Sequence, residues 1–443
     1  MITLLLLAGV ALQDTTRLTL GQTIDRALVS YPTIAAARAQ RDRVSADLGD
    51  AKATRLPRVS LDGSLFRFQE PNVVAPLHGF DPTNPPLFNR TLIQSGISFN
   101  WTVLDFGNRS SQVRAQRALG GAADAAVSTA EQQLIGRTVN GYLRVLTARD
   151  VLRAQDQRLT ALASASDRMR QLLAEGKAAR VDGLRVDAEA QRAQADRIAA
   201  ASQVDLAEHD LAQLADLPFE AVRGSPLTEL RLTDTAVAAD TSGALRSSVV
   251  SRARSSSTEI QEMEQRSRAA GAGLSAARAT WFPEVRVSGA YIDRGRWLDD
   301  FSAEWQVGVA VSYPLFTGGS RTSRIHRAAA DERAATEQLR AAGLNVELAV
   351  DRSLAALRES HARVTALKTA VEQSTEVVRI ERLSLDVGSG TQTEYLDAEA
   401  NLLRASASLI EARHAEISAR VELARITGEL SREWLARTVE SGS

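Results

Sequence analysis

The 443-residue sequence predicts a mainly helical protein with a small β part, in which one structural unit occurs twice. Three observations predict this fold: an internal repeat, an uneven distribution of proline, and short stretches in which apolar and polar residues alternate. In each unit a hairpin of two amphipathic strands leads into a very long helix, which pairs with a returning helix as an antiparallel coiled coil. The chain is therefore expected to supply four strands.

The repeat is visible as matching residues at a constant spacing. Residues 101–184 align with residues 313–396 without an insertion. A block upstream aligns at a slightly larger spacing, and the extra length lies in a proline-rich stretch of the first copy. The matched pairs include Pro57 with Pro283, Gly63 with Gly289, Arg109 with Arg321, Gly176 with Gly388, and Leu184 with Leu396. A duplication of this kind predicts two equivalent halves.

The repeat also predicts how the chain is divided. A first repeat is expected at residues 13–217 and a second at residues 245–430. The other parts are a signal segment (1–12), an inter-repeat segment (218–244) and a C-terminal tail (431–443). Within the repeats, the strand hairpins are predicted at about 57–105 and 283–316, the long helices at about 108–175 and 320–387, and the returning helices at about 184–216 and 394–427.

Proline placement supports the predicted helices. Residues 87–217 and 315–443 contain no proline, whereas five of the eleven prolines fall between Pro71 and Pro86. Because proline is excluded from helix interiors, the clear stretches can be helical and the cluster is predicted to be a loop. Apolar residues in the clear stretches recur at spacings of three, four and seven, which is typical of coiled coils. Each long helix would measure roughly 100 Å at 1.5 Å per residue. Single shorter helices are expected before the strands, at about 23–54 and 245–280.

The predicted strands alternate apolar with polar residues and carry aromatic residues near the ends of the apolar face. One interpretation is a soluble sheet packed on helices, but a helix of ~100 Å cannot pack compactly on strands of about ten residues. Strands with an apolar outer face, a polar inner face and aromatic ends are typical of membrane barrels. The residues predicted to face lipid are Val285, Val287, Tyr291, Trp305, Val307, Val309, Val311 and Tyr313.

Four strands are too few to close a barrel with an interior, because about eight is the practical minimum. The chain is therefore expected to form an oligomer in which the sheet edges are paired. Three copies would supply twelve strands, although the spacing alone does not fix the number three.

Composition excludes several classes of function. Lys plus Arg (53) balance Asp plus Glu (54), so no excess of positive charge favours nucleic acid. The chain has no cysteine, which excludes disulfides and thiolate metal sites. The five histidines lack metal-ligand spacing and are expected at the surface, and no phosphate-binding loop is present. We therefore expect no enzyme activity, no cofactor and no metal site. The apolar residues 2–12 are typical of the core of a secretory signal, the alternative being a buried N-terminal strand.

Several motifs together resemble those of the TolC family of outer-membrane efflux proteins. Leu-Pro or Phe-Pro precedes a strand in each copy (residues 56–57 and 282–283), and each turn after a long helix carries glycine followed by an acid and a leucine. The residues of this turn motif are Gly176, Asp182 and Leu184 in the first copy and Gly388, Glu394 and Leu396 in the second. The resemblance covers about residues 20–430.

The resemblance implies a homotrimer, with a twelve-stranded barrel in the outer membrane continued by an α-helical barrel in the periplasm. It implies a passive exit duct of a tripartite efflux or type I secretion system, in contact with outer-membrane lipid. An inner-membrane pump and a periplasmic adaptor (membrane fusion) protein are the implied partners. The alternative from a different class is a periplasmic coiled-coil adaptor or scaffold without a pore.

The turns after the long helices carry the candidate functional residues. By resemblance, Glu394 and Asp397 are constriction acids, and Asp182 is the acid of the first copy. In a symmetric assembly each would form a ring of carboxylates, which attracts cations. The competing interpretation is helix capping, because Thr391 and Glu394 have the spacing of a capping box. Gly176, Lys177, Gly388 and Ser389 are the predicted adaptor-docking tip, or simply the residues that end the helices.

The resemblance also implies a lock at the closed tip, made by a tyrosine and an arginine of the second copy with the first-copy acid. Leu385 and Gly390 stand at the matching second-copy positions, so the lock is expected to be altered or absent. Arg180 is a substitute partner for Asp182 in one interpretation and a solvated surface residue in the other.

Overall fold

The computed structural model describes residues 18–73, 83, 88–233, 243–296 and 301–441. The predicted signal segment (1–12), most of the proline-rich loop and part of the inter-repeat segment lie outside these residues. The chain divides into two compact units. The first unit comprises residues 1–38, 126–260 and 343–443, and the second comprises residues 39–125 and 261–342.

The elements of the first half of the chain follow the predicted order. They are α1 (Leu20–Ser30), α2 (Pro32–Ala53), β1 (Arg58–Val73), β2 (Phe88–Leu104), α3 (Asn108–Ala174), α4 (Arg180–Ala215), α5 (Phe219–Val222) and β3 (Leu230–Leu232).

The second half repeats this order. Its elements are α6 (Gly243–Ser256), α7 (Thr258–Ala279), β4 (Glu284–Gly295), β5 (Ser302–Ser312), α8 (Ser320–Asp386), α9 (Gln392–Ile426), α10 (Arg432–Thr438) and β6 (Val439–Ser441). The predicted fold class, mainly α with a small β part, is confirmed. Both long helices, α3 and α8, contain 67 residues. No helix among the described residues is long and apolar enough to cross a membrane.

The shorter helices before the strands differ from the prediction, because each is broken in two. In the first copy α1 ends at Ser30, the residue after it, Tyr31, has an extended ψ of 127°, and α2 begins at Pro32. The ring of a proline disfavours helical backbone in the preceding residue, which explains the break. In the second copy Ser257 separates α6 from α7 without a proline.

The four longer strands form one antiparallel sheet in the second unit. Its order is β1-β2-β4-β5, so the hairpins of the two copies are joined by the pairing of β2 with β4. Pro71 lies in β1 and not in the predicted loop. This position is tolerated because β1 is an edge strand, where a missing N–H breaks no ladder bond on its outer side. The register of β1 also shifts between Arg67 and Asn72.

The register brings most of the apolar residues of the four strands onto one face of the sheet. Leu61 lies opposite Ile97, which lies opposite Tyr291, which in turn lies opposite Trp305. The same face carries Val59, Leu65, Ile93, Phe99, Trp101, Val285, Val287, Val307, Val309 and Val311. This face is open in the single chain, since Trp305 is 75% exposed and Val309 is 69% exposed.

The opposite face of the sheet is mostly polar, although Phe66 and Leu92 also pair on it. Ser60 and Ser98 face each other across β1 and β2 with hydroxyl oxygens 2.8 Å apart, and the Ser98 hydroxyl donates to a carboxylate oxygen of Asp62 at 3.2 Å. On β4 and β5, Arg294 pairs with Glu304 at 2.8 Å. The sheet is therefore amphipathic across its whole width.

The core of the first unit surrounds Tyr142 of α3, which is fully buried with 0% exposure. Its hydroxyl accepts from the N–H of Thr228 at 2.7 Å and donates to the carbonyl of Leu18 at 2.9 Å. The C-terminal residues are not the predicted tail. Trp434 of α10 and Val439 of β6 join this core, because β6 pairs with β3 and covers an apolar surface that would otherwise face water.

Candidate functional site at the helical turns

The candidate site is formed by the two turns that follow the long helices, both in the first unit. α3 ends at Ala174 and α8 ends at Asp386. The glycines that follow, Gly176 and Gly388, have φ angles of 69° and 78°. Glycine adopts this left-handed backbone without a steric penalty, so both turns depend on it.

The two turns share one hydrogen-bond pattern. The N–H of Lys177 donates to the carbonyl of Leu172 at 2.8 Å, and the N–H of Ser389 donates to the carbonyl of Ser384 at 2.9 Å. These bonds, in which the residue after the glycine reaches back five positions, define the Schellman ending of a helix. All four predicted tip residues lie in these turns and are exposed, so the helix-ending role is present in both copies.

The returning helices begin differently in the two copies. Thr391 caps α9: its hydroxyl accepts from the N–H of Glu394 at 3.2 Å, and the Glu394 carboxylate accepts from the N–H of Thr391 at 2.8 Å. This reciprocal pair is the capping box that the spacing predicted. In the first copy Ala179 occupies the capping position of α4 and has no side-chain bond to offer.

The carboxylate of Glu394 is engaged within its own turn. Hydrogen bonds from the backbone and the hydroxyl of Thr391 hold the pKa of Glu394 below its usual range. A carboxylate that is fixed in this way stays ionised to lower pH. Its negative charge also offsets the positive end of the helix dipole of α9.

The other two predicted acids are freer. Asp397 is exposed and makes no hydrogen bond or ion pair within the part of the chain that the structure describes. Asp182 lies in the first turn of α4, and its closest cation is Arg185 at 3.9 Å. The proposed partner Arg180 forms no ion pair among the described residues, which fits a solvated arginine. Asp397 is thus the predicted acid whose charge is most available to a passing ion.

A tyrosine beside these acids was missed by the sequence reasoning. The hydroxyl of Tyr395 donates a short hydrogen bond to the carboxylate of Glu399 on the next turn of α9. Burial, together with this bond to an acid, raises the pKa of Tyr395 to about 12. The spacing of four residues on a helix could have indicated the pair.

Contacts between the two helical hairpins were also missed. Leu396 of α9 packs against the cluster of Ala165, Met169 and Val186 on α3 and α4. Arg168 of α3 approaches Asp386 at the end of α8, with a distance of 3.9 Å between Nη1 and Oδ1. These contacts connect residues more than 200 positions apart, and no local sequence signal could have revealed them.

Two histidines correct the expectation that all five lie on the surface. Nδ1 of His361 on α8 is 2.7 Å from a carboxylate oxygen of Glu416 on α9, and Glu416 is buried. His414 is half-buried, with Nδ1 2.5 Å from the hydroxyl of Thr147 on α3, and burial lowers its pKa. Both side chains fill polar gaps between helices, which the spacing along one helix does not reveal.

Comparison with known proteins places this geometry in a family. The model of the outer membrane efflux protein family matches residues 23–216 and 249–429. Outer membrane protein TolC of Vibrio cholerae is 24% identical over 441 residues, covering 94% of this chain and 91% of that protein. TolC of Salmonella enteritidis is 23% identical over 416 residues, covering 93% and 82% respectively.

Solved structures show the same fold. The outer membrane protein VceC of Vibrio cholerae superposes with a TM-score of 0.78 at 19% identity, covering 92% of this chain and 96% of that one. A membrane protein of Pseudomonas aeruginosa superposes with a TM-score of 0.80 at 20% identity, covering 94% and 91%.

Proposed function

This chain belongs to the outer membrane efflux protein family, and on that premise we propose that three copies assemble into a passive exit duct of a tripartite efflux or type I secretion system. Its place is the outer membrane, with an extension into the periplasm. An inner-membrane pump would supply the energy and a periplasmic adaptor would contact the exposed turns at Gly176, Lys177, Gly388 and Ser389. No comparison supports the adaptor without a pore. We expect no catalytic activity.

One observation carries the proposal: an apolar face continues across all four strands while both outer strands lack a partner on one side. An apolar face of this width is costly in water and stable in lipid. The free edges of β1 and β5 expose unpaired backbone groups, which hydrocarbon does not tolerate. Pairing β5 of one copy with β1 of the next satisfies both edges, and three copies then give twelve strands.

The helices of the first unit support assembly independently. The last turns of α8 and the turn after it expose Val377, Ile380, Leu383 and Val387. The helix α4 exposes Val181, Leu184, Ile198 and Leu206. Apolar stripes of this length on coiled-coil helices favour burial against a partner helix. We propose that neighbouring copies cover them in the trimer.

Selectivity is assigned to Asp397. In a symmetric trimer its exposed carboxylate would become a ring of three negative charges, which attracts cations and repels anions. Glu394, whose carboxylate is held by Thr391, is assigned chiefly to capping α9. The two acids are therefore expected to contribute unequally to selectivity.

The test is single-channel conductance of the purified protein in a planar bilayer with a salt gradient. The native protein should conduct with a preference for cations, and Asp397→Asn should lower the cation-to-anion permeability ratio. Glu359→Gln is the matched control, because Glu359 is an exposed acid on α8 remote from the turns. Glu394→Gln should change the ratio less than Asp397→Asn does.

Two results would contradict the proposal at different levels. An unchanged permeability ratio in Asp397→Asn would remove this acid from the conducting path and leave the duct. A native protein that neither conducts nor migrates as a trimer on mildly denaturing gels would argue against the duct itself.

A further inference from the structure

Three of the four helix segments next to the strands carry arginine and no acidic residue, whereas the fourth, the end of α2, carries Asp47 and Asp50. Residues 108–120, 268–282 and 320–330 contain neither aspartate nor glutamate. Over the whole chain the two kinds of charge balance, with 53 basic and 54 acidic residues, so this local excess is a departure. The arginines of the three segments are Arg109, Arg114, Arg117, Arg268, Arg278, Arg321, Arg324 and Arg327.

Two of these arginines are already used within the fold. Arg109 binds Asp105 at 2.7 Å, and Arg321 is 7% exposed with its guanidinium over two aromatic rings. The other six are exposed, and we call them the basic collar: Arg114, Arg117, Arg268, Arg278, Arg324 and Arg327. An uncompensated cluster of this kind is available to an external anion.

Within the basic collar, most guanidinium groups have no acid beside them. Arg268 lies 3.6 Å from Glu264, and Arg114 donates to the hydroxyl of Ser111 at 2.7 Å. The other four form no ion pair with a carboxylate of the described residues. Most surface arginines farther along the helices do have such a partner, as Arg379 has in Glu376 at 2.7 Å.

Three collar arginines line one groove between α3 and α7. Its volume is about 450 Å³. Arg114 and Arg117 lie on one wall and Arg268 on the other, with Gln265, Gly271 and Ser275 completing the lining. The small residues keep the groove open, and no acidic side chain lines it. A group with one negative charge and several acceptor oxygens suits such a site.

The level of the collar relative to the membrane follows from the aromatic residues. Trp281 and Tyr313 lie where the strands meet the helices, the position that such rings occupy at a membrane surface. Arg278 is adjacent to the last residue of α7, Arg324 lies about 6 Å beyond the start of α8, and Arg114 about 9 Å beyond the start of α3. The other three, Arg327, Arg117 and Arg268, lie farther from the strands, at about 10, 14 and 17 Å. The headgroup region extends roughly 5–8 Å beyond the hydrocarbon on each side.

The direction of the side chains affects the distance between the collar guanidinium groups and the lipid head groups. In a helix the Cα–Cβ bonds tilt toward the N-terminus. α3 and α8 both begin at the strands, so Arg114, Arg117, Arg324 and Arg327 lean toward the membrane, whereas α7 ends at the strands, so Arg268 and Arg278 lean the other way. Long arginine side chains also extend their charged end toward the headgroups.

We propose that the basic collar binds the head groups of anionic phospholipids in the membrane leaflet that faces the periplasm, with Arg114 and Arg117 on the α3 wall of the groove as its best-formed part. The proposal rests on the placement of the sheet in the membrane given under the proposed function. A guanidinium donates two parallel hydrogen bonds to a phosphate, and each basic residue near an anionic surface strengthens binding roughly fivefold. The collar would thereby fix the depth of the protein in the membrane.

The experiment measures binding of short-chain phosphatidylglycerol to the detergent-solubilised full-length trimer by native mass spectrometry. Phosphatidylcholine of the same chain length and inorganic phosphate are the comparison probes. The test variant is Arg114→Gln/Arg117→Gln, and the matched control is Arg363→Gln/Arg404→Gln, two exposed arginines of the first unit. Arg114→Lys/Arg117→Lys keeps the charge and guards against a folding defect.

Phosphatidylglycerol should bind the native trimer and the control equally, and the glutamine pair roughly 30-fold more weakly. The lysine pair should stay within a few-fold of native, and phosphatidylcholine should bind weakly throughout. Equal phosphatidylglycerol affinity in the native and glutamine variants would overturn the proposal. Displacement of the lipid by millimolar phosphate would overturn it too, since the site would then take any free anion.

Conductance of the same samples separates this inference from the duct. Loss of lipid binding with unchanged conductance supports the collar. A changed conductance with unchanged lipid binding would place these arginines along the conducting path and overturn it. A native protein that binds lipid through the collar and never conducts would leave this inference standing and remove the proposed duct.

Discussion

The connections from β2 to α3 and from β5 to α8, which we call the first and second joints, occupy matching positions in the repeat and are stabilised by different chemistry. In the first joint, Arg109 donates to the carboxylate of Asp105 at 2.7 Å, to the carbonyl of Thr54 at 2.9 Å, and to the carbonyl of Thr102 through a short bond. The pair is mostly buried, with side-chain exposures of 17% and 18%. The first joint is therefore a charged, hydrogen-bonded network.

The second joint retains the arginine and replaces its partner. Arg321 donates to the carbonyl of Pro314, the position that corresponds to Thr102. Thr317 stands where Asp105 would be, so the carboxylate is missing. The guanidinium instead lies over the rings of Trp281 and Tyr313, 5.5 Å and 5.2 Å from their centres.

This difference shows which part of the joint both copies need. The bond from the arginine to a backbone carbonyl near the end of the strand is common to both joints, and it gives that carbonyl a side-chain donor. The way in which the positive charge is neutralised varies between a carboxylate and two aromatic rings. The first joint should therefore respond to pH, whereas the second should not.

The largest expected effect is the loss of either arginine. Arg109→Ala should lower the free energy of unfolding by about 3 kcal/mol, because it leaves a mostly buried carboxylate unpaired. Arg321→Ala should lower the free energy of unfolding by about 2 kcal/mol, since it removes a hydrogen bond and a cation–π contact but leaves no buried charge unpaired. Thermal unfolding of the detergent-solubilised trimer measures both. Arg324→Ala, an exposed neighbour, is the control, and equal losses for Arg109 and Arg321 would break the comparison.

Asp105→Asn tests whether the stability of the first joint depends on pH. Burial alone would raise the pKa of Asp105, but the hydrogen bonds and positive charge of Arg109 lower it overall. A carboxyl whose pKa is lowered by folding stabilises the fold above its unfolded pKa of ~3.9, and that stabilisation is lost as the pH falls through the folded pKa. The variant should lose about 1–2 kcal/mol at neutral pH.

The measurement is the midpoint of unfolding of native protein and Asp105→Asn between pH 7 and pH 3. The difference between the two should stay constant down to about pH 5 and shrink in more acidic solution. Thr317→Asn is the matched change in the second joint and should show no such convergence. A difference that is the same at pH 3 and pH 7 would mean that the carboxylate charge does not stabilise the first joint.

The turns extend the comparison to the other ends of the long helices. Thr391→Ala removes the side-chain cap of α9 and should lower the free energy of unfolding by about 1 kcal/mol. Ala179→Thr introduces a cap where α4 has none and should add about 0.5 kcal/mol. Hydrogen exchange of the first-turn amides would localise both changes. Equal and small effects at both sites would show that packing, and not capping, sets the stability of the turns.

The smallest expected effect concerns one aromatic ring of the second joint. Trp281→Leu retains an apolar side chain but removes one of the two rings over Arg321, and it should cost about 0.5–1 kcal/mol. Phe282→Leu is the control, because Phe282 stacks on Phe106 and does not face the guanidinium. The unfolding midpoint at high salt distinguishes the joints further, since a cation–π contact with neutral rings depends less on salt than the Arg109–Asp105 pair does.

Local pattern was sufficient for the elements but not for every boundary. Alternation predicted the strands and absence of proline predicted the long helices, because both signals arise from residues that are close in sequence. The break at Tyr31 was within reach, since Pro32 follows it, yet the helix was predicted to continue. The order of the strands, with β2 beside β4, needed tertiary structure, because the pairing of the two copies depends on residues about 190 positions apart.

In the candidate site, too, the features that arise from neighbouring residues were predictable from the sequence and the contacts between distant segments were not. The glycine endings and the Thr391–Glu394 capping box are local, so their spacing predicted them. The sequence allows the Glu394 carboxylate either to cap the helix or to face the pore, and only the structure shows it bonded to Thr391. Arg168–Asp386 and the position of Leu396 join separate hairpins, for which neither copy alone carries a signal.

Local signals in the sequence are enough to predict the repeat, the helical and strand segments, the turns and the apolar alternation, because backbone preferences and side-chain periodicity act over a few residues. Tertiary structure decided which face each strand shares with its neighbours, how each joint neutralises its arginine and which histidines are enclosed. These depend on contacts between distant segments, whose geometry is set by the packing of the whole unit. The arginine pair shows the division clearly: Arg109 and Arg321 match in sequence, but only folding places a carboxylate beside one and two rings over the other.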